Sequence, residues 1–388
     1  MKKVVIIGPA YPLRGGLAAF NQRLANELKL NQIDPIIYTF KLQYPAFLFP
    51  GKSQFDMDQI RNGIDIHSSI NSINPANWYK VAQEIVVHDP DLIICHYWIP
   101  FLGPSLGSIL RLIKKKSNQS KIVALVDNLV PHERRWGDQS FTKYFVAPVD
   151  YFLVLSGKVK KEIRNFGINK PIIQLIHPLY DHYGPLVPRQ EAINHLGLTS
   201  DITNLLFFGF VRKYKGLDLL LRAMADSNLR NYQFRLIIAG EFYEKEEKYR
   251  RLIESLELTH QVIIHSKYIP TEEVKFYFSA ADLVVLPYRS ASQSGIFQIA
   301  SHYLKPVLIT NVGGLPEIVE DGINGFISDP DPTLIAKGIK RFLDYGNQQI
   351  LYTNIEKAKE KFSWKRFTGD FLRQIGLVRH SPSYKQKI

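Results

Sequence analysis

Two strand-to-helix turns rich in small residues carry the chemistry-bearing groups of this chain. In the segment 288–330 an apolar run, 283–286, ends in Pro287, and the turn through Ser290, Ser292, Gln293, Ser294 and Gly295 opens a helix. A second apolar run, 307–310, leads into Gly313-Gly314. Turns of this kind aim free backbone N–H groups at one end of a parallel sheet, the end where open α/β sheets bind ligands. Helix N-termini favour phosphate oxygens, so the N–H groups of Ser294, Gly295 and Ile296 predict a phosphate site that needs no side chain. Upstream, Gly209-Phe210-Val211-Arg212-Lys213-Tyr214-Lys215-Gly216 follows the apolar run 204–208. Cations at a helix start oppose its dipole, so Arg212 and Lys215 point to an anionic ligand rather than to solvated charges.

The first half offers a different set. The turn after the run 4–7 holds Gly8, Arg14, Gly15 and Gly16. It is longer than a G-x-G-x-x-G turn and carries an arginine, which makes it a poor nicotinamide or flavin fingerprint. Gly15 and Gly16 either admit a ligand close to the backbone or form a plain loop-to-helix turn. His96 and the group Asp127, Asn128 and His132 close two successive strands and are expected to point into one cleft. Three Asp-x-Asp spacings, 56/58, 89/91 and 329/331, lie in polar loops and read as solvated turns, so no metal is expected. Cys95, the single cysteine, sits inside an apolar run and reads as a buried structural thiol in a reducing compartment.

These groups need a scaffold larger than one core, because 388 residues exceed what a single hydrophobic core usually supports. Apolar runs at 4–7, 36–39, 92–95, 122–126 and 151–155 alternate with helical patterns at 18–28, 78–87, 106–114 and 158–166. The cycle restarts with runs at 204–208, 234–239, 262–265, 283–286 and 307–310. Continuous apolar strands alternating with helices predict parallel sheets covered on both faces. The fold class expected is α/β, with two facing Rossmann-like, doubly wound domains and an interdomain cleft. The first spans 1–180 and the second 181–363, joined through a Pro/Gly/Tyr-rich stretch at 177–189.

Net charge is +13, with 23 Lys/Arg against 14 Asp/Glu in residues 1–190 and 26 against 22 in the remainder. A basic first half suits an anionic membrane surface or a phosphorylated acceptor, and equally a solvated surface. No recognition motif supports nucleic acid. The uncharged window 92–110 is broken by Pro100, Gly103, Pro104 and Gly107, and the run 4–7 is too short for a signal peptide. A cytoplasmic protein, peripheral on the inner face of the plasma membrane where it meets lipid, is therefore expected. The aromatic loop 44–51 either touches a lipid-linked acceptor or folds back on its own domain. Lys114-Lys115-Lys116 satisfies a helix C-terminus without a partner.

Lys305-Pro306-Val307 and Gly313-Gly314-Leu315-Pro316-Glu317 resemble the signature of the group 1 (family 4) retaining glycosyltransferases of the glycosyltransferase-B fold. Their pattern runs Glu-x7-Glu, G-K/R-P-V, G-G-x-P-E. Lys215-Gly216 resembles the family's diphosphate-gripping element, with Phe210 at the family's arginine position and Arg212 two residues later. The two glutamate positions fall on Ala291 and Ile299, so this is a variant lacking the acidic pair, with Gln298 the nearest group able to bond ribose hydroxyls. The resemblance implies a metal-independent hexosyltransferase with no cofactor. Its donor would be a nucleotide-diphosphate sugar, its acceptor a saccharide or lipid-linked hydroxyl, and its setting bacterial surface polysaccharide or glycolipid synthesis. Lys215, Arg212, Asp127 and His132 would act in catalysis. Gly15, Gly16, His96, Asn128, Ser294, Gly295, Ile296 and Gln298 would bind substrate. The tail resembles the family's crossover helix, placed at 364–380 and packed back on the first domain. A non-catalytic nucleotide-binding scaffold and a nucleotide-sugar epimerase stand as alternatives.

Overall fold

The computed structural model describes residues 1–45, 55, 63–117, 119–129 and 137–378. In chain order the first part of the chain forms β1 (Lys3–Ile7), α1 (Gly16–Leu30), β2 (Asp34–Leu42), β3 (Asp65–Asn71), α2 (Pro75–Val87), β4 (Leu92–Tyr97), α3 (Gly103–Lys116), β5 (Lys121–Val126), α4 (Asp138–Val146), β6 (Tyr151–Val154), α5 (Gly157–Asn165) and β7 (Ile172–Gln174). There follow α6 (Arg189–His195), β8 (Thr203–Phe208), α7 (Leu217–Met224), β9 (Phe234–Ala239), α8 (Glu246–Ser255), β10 (Val262–His265), α9 (Thr271–Ala280), β11 (Leu283–Leu286), α10 (Gly295–His302), β12 (Val307–Thr310), β13 (Gly325–Ser328), α11 (Pro332–Leu343), α12 (Gln348–Ala358) and α13 (Trp364–Gln374).

The chain divides into two compact units. One draws on the sequence up to Pro178 and from Lys361 onward, the other on Leu179–Glu360. The first holds a seven-stranded parallel sheet in the order β3-β2-β1-β4-β5-β6-β7. The second holds a six-stranded parallel sheet, β10-β9-β8-β11-β12-β13. All six residues of β4 and all six of β9 are buried, as strands covered by helices on both faces require. In each sheet the strand order reverses beside the first strand of its unit, between β1 and β4 and between β8 and β11. Residues that follow these strands therefore gather at the sheet's carboxyl edge.

Short polar residues set several helix starts. Asn74 accepts from the backbone N–H groups of Ala76 and Asn77 ahead of α2, and Ser156 from Val159 ahead of α5. Asp331 caps α11 through Thr333 and Leu334, and Asp91 accepts from Lys2 Nζ at 3.1 Å and from the Lys3 N–H at 2.9 Å. Two of the Asp-x-Asp spacings thus have one member engaged in chain geometry. The third, 56/58, lies outside the described residues, as do positions 46–51 of the aromatic loop. Its Tyr44 accepts from Trp98 Nε1 at 2.7 Å. Lys114, in the last turn of α3, pairs with Asp150.

The tail returns to the first unit. Ser363 caps α13, whose Trp364 and Phe367 rings lie 5.0 and 6.0 Å from the ring of Phe20 on α1. Lys121 Nζ donates to the Ile375 carbonyl at 2.7 Å. The helix expected over 364–380 ends at Gln374, where Ile375 and positive-φ Gly376 close it. β3, β7, β13 and α4 were not expected from the sequence; β3 buries one residue of seven and β7 one of three. Among the described residues, no helix is long and apolar enough to cross a membrane.

Candidate functional site

In the second unit the chain leaves β8 through Gly209, forms a short 3-10 turn at Lys213–Lys215, and starts α7 after Gly216. Gly216 has φ +68°, and a Cβ there would stand 2.0 Å from the Pro287 carbonyl oxygen. The turn therefore seats directly against the segment after β11. Arg289 clamps it from that side, donating to both carboxylate oxygens of Asp218 at 2.7 Å and to the Lys213 carbonyl at 3.1 Å. A Cβ on Gly209 would lie 3.2 Å from Lys215 Nζ and 3.4 Å from Ile296 Cδ1, so these two side chains meet over that glycine.

Lys215 is buried, and its ammonium has no hydrogen-bond or carboxylate partner among the described residues. Burial, reinforced by the nearby charge of Arg212, pushes its pKa down to about 8. Beside it begins α10, whose first turn holds no acidic residue and whose N-cap Ser294 makes no side-chain cap. The Ser294 hydroxyl instead shares a 3.2 Å hydrogen bond with Tyr288, leaving the N–H groups of Gly295 and Ile296 open among the described residues. The Tyr180 ring closes the other flank, since a Cβ on Gly295 would lie 2.6 Å from it. Lys215 Nζ, 5.8 Å from the centroid of the Tyr288 ring, thus stands beside open helix N–H groups, an arrangement whose charge and dipole favour an anion.

Arg212 sits differently. It is exposed, and its guanidinium lies over the Tyr243 ring at 4.6 Å, while the Phe210 ring packs against that of Tyr243 with centroids 4.6 Å apart. Gln298 is 1% exposed, and its Oε1 has no hydrogen-bond partner among the described residues. Ala291 and Ile299 are buried apolar residues, 2% exposed each. An orphaned buried amide oxygen is costly unless something pairs with it (about 1–3 kcal/mol). Replacing Gln298 by Leu should therefore leave the unliganded protein as stable or more so by about 1 kcal/mol. It should also weaken a nucleotide sugar more than inorganic diphosphate. Denaturant titration and calorimetry read both, and equal loss for the two ligands would exclude a ribose contact.

In the first unit, Gly15 takes φ +107° as N-cap of α1, where a Cβ would meet nothing within 4 Å, and Gly16 is the first helical residue. β4 runs to Tyr97, two residues beyond the expected run, so His96 lies inside the sheet at 1% exposure rather than open at a strand end. Its ring contacts Asn21 Oδ1 at 2.8 Å and Asp127 Oδ2 at 2.9 Å. Asp127 and Asn128 follow β5 directly and are partly exposed. His132 lies outside the described residues. Cys95 is fully buried, and burial drives its thiol pKa far upward. Asn21, Tyr180 and Tyr288 were not picked out from the sequence as site residues. A signal for Asn21 was present, since it is the polar residue on the apolar face of 18–28.

A separate shallow cavity of about 430 Å³ lies at the ends of β12 and β13, lined in part by Asn311, Asp321, Ser328, Asp329, Lys337 and Arg341. It contains none of the groups above, and its Asp321 is paired with Arg341 at 3.0 Å.

Residues 188–362 match the family model for glycosyl transferases, group 1. That segment covers nearly the whole second unit, including the Lys215 turn and α10. An uncharacterised glycosyltransferase of Methanocaldococcus jannaschii is 26% identical over 371 residues, 94% of this chain and 95% of that protein. Among solved structures, sucrose-phosphate synthase from Thermosynechococcus elongatus superposes with TM-score 0.75 at 18% identity, covering 97% of this chain and 100% of the other. Anabaena HepE in complex with UDP-glucose gives TM-score 0.74 at 15% identity, with 97% and 100% covered. With two parallel Rossmann-like sheets, these likenesses establish the glycosyltransferase-B fold. The family match supports a group 1 glycosyltransferase.

Proposed function

We propose that the protein is a retaining glycosyltransferase that moves a hexose from a nucleotide-diphosphate donor to an acceptor hydroxyl. The observation that carries this reading is the buried Lys215 ammonium, without a hydrogen-bond or carboxylate partner among the described residues, beside the open N–H groups of Gly295 and Ile296. In the transition state the bond between the anomeric carbon and the phosphate oxygen breaks with its electron pair going to the diphosphate. Lys215 and the helix N-terminus stabilise that charge, and Arg212 adds a more distant one. The acceptor hydroxyl bonds to the same face of the sugar while a leaving phosphate oxygen takes its proton. Ser294 contributes its position as N-cap, Gln298 an amide for the ribose, and Gly15, Gly16, Asp127 and Asn128 the first unit's share of the substrates. His96 acts behind Asp127.

The mechanism draws its electrophilic assistance from protein cations and backbone dipoles, so no metal or other cofactor enters any step. Turnover should persist in EDTA; abolition by the chelator with rescue by manganese would overturn that mechanism. The acceptor, a saccharide or lipid-linked hydroxyl of surface polysaccharide or glycolipid synthesis, is assigned to the basic first unit. Peripheral attachment to an anionic cytoplasmic membrane face would be read as liposome binding that falls steeply with salt. Ala291 and Ile299, apolar where the family carries glutamates, favour a second reading, a nucleotide-binding scaffold without turnover. A calorimetric series of UDP, GDP and ADP, followed by hydrolysis of the matching nucleotide sugar, separates them. Binding with slow hydrolysis supports the transferase, binding without turnover the scaffold, and no binding by any diphosphate defeats both.

A further inference from the structure

The two ends of α10 hold the same short segment of chain. The polypeptide enters the second unit at Leu179 and leaves it after Glu360. Just inside the entry, Tyr180 lays its ring against the backbone of Gly295, where a Cβ would stand 2.6 Å from the ring's Cε2. Further along, the Gly184 carbonyl accepts from His302 Nε2 at 3.0 Å. A carbonyl only accepts, so that bond places a proton on Nε2. The Tyr303 hydroxyl, on a fully buried side chain, is shared between the Tyr183 carbonyl at 2.8 Å and the Gly184 carbonyl at 3.1 Å. Segment 180–184 is therefore fastened at Gly295, the first residue of α10, and at His302, the last.

The segment is also stiffened by its own rings. Those of His182 and Tyr183 have centroids 4.1 Å apart, and Tyr180 meets them edge-on at 5.4 and 6.4 Å. The exit from the unit is tied to the same point. His302 ends α10, and Pro306, four positions on, has no N–H to offer its carbonyl. Lys359 Nζ donates to that carbonyl at 3.0 Å, and a cation there complements the helix dipole as well. Gly184 from the first stretch of the unit and Lys359 from the last thus meet on one residue.

We propose that segment 180–184 is a strap joining the two ends of α10, and that His302 and Tyr303 act through it as positioning residues for the N–H groups of Gly295 and Ile296. An anion on those N–H groups fixes the backbone on which Tyr180 packs, and so holds the strap. By linkage, a loosened strap weakens the anion by the same factor. The coupling rests on the reading of that end of α10, beside Lys215, as the place of a diphosphate; the bonds of the strap do not.

Hydrogen exchange of the peptide covering residues 179–187 reads the strap, and calorimetry with inorganic pyrophosphate and with UDP reads the anion. In wild type, saturating pyrophosphate should slow exchange across the strap about fivefold. His302→Phe keeps a ring without a donor, and Tyr303→Phe removes only the buried hydroxyl. Each should speed ligand-free exchange of the strap about tenfold, the worth of a hydrogen bond lost from buried carbonyls. Each should also weaken pyrophosphate and UDP about fivefold. His302→Gln, which retains an N–H donor, should stand closer to wild type in both measurements. A purely local role would move the exchange and leave affinity untouched, and that result overturns the coupling. So does pyrophosphate that binds wild type while strap exchange stays unchanged. If wild type binds neither pyrophosphate nor UDP, the diphosphate reading falls and takes the coupling with it.

Discussion

Replacing Lys215 by Met should weaken nucleoside-diphosphate binding about ten- to hundredfold, the worth of one charge-assisted contact of about 1.5–3 kcal/mol. The same change should not destabilise the unliganded protein. Its ammonium is buried without a counter-charge among the described residues, and its pKa falls from 10.5 to about 8. Keeping it charged at neutral pH thus costs roughly 3 kcal/mol, which an apolar side chain would release in part. The pH dependence follows. Between pH 8 and 10.5 the unfolded chain holds this proton and the folded one does not, so this lysine's contribution to stability rises with pH across that window. Ligand affinity runs the other way. It is complete below about pH 8, where the ammonium is present, and declines by up to about tenfold per pH unit above it. Titration calorimetry at several pH values should show that decline in wild type and not in Lys215→Met. Equal affinities, or a Met variant markedly less stable than wild type, would remove Lys215 from the proposed diphosphate site.

The second large effect concerns backbone. Gly216→Ala should destabilise the second unit by more than about 3 kcal/mol, in the upper tail of single substitutions. The reason is a collision with a rigid neighbour: the new Cβ would sit 2.0 Å from the Pro287 carbonyl oxygen. Gly197 provides the control, having φ +65° and nothing within 4 Å of a built Cβ. Gly197→Ala should cost only the left-handed backbone penalty, about 1–2 kcal/mol. Denaturant midpoints of the two variants measure the difference. Similar losses would mean the turn carrying Lys215 is free to move away from the segment after β11.

The sequence was most legible where burial was complete. The runs 234–239, 283–286 and 307–310 coincide with β9, β11 and β12, because a strand covered on both faces is written almost wholly in apolar residues. β3 was hidden for the opposite reason: Asp65, His67, Ser68 and Ser69 leave it one buried residue and no apolar alternation. The turn carrying Lys215 stood out in the sequence because a lysine next to a glycine at a helix start opposes the helix dipole unless an anion sits there. The Asn21–His96–Asp127 network was not, since its members come from α1, β4 and the end of β5, 75 and 31 positions apart. Only the pairing of β1 with β4 and β4 with β5 brings them together.

The return of α13 to α1 also orders the protein's synthesis. Phe20 is made long before the aromatic rings that cover it, on Trp364 and Phe367. The stretch between Leu179 and Glu360 is continuous and can close its own core while the nascent chain is still growing. The unit whose strands are made earlier is completed after its neighbour, and a ribosome stalled before residue 361 leaves a finished second unit tethered to an unfinished first one.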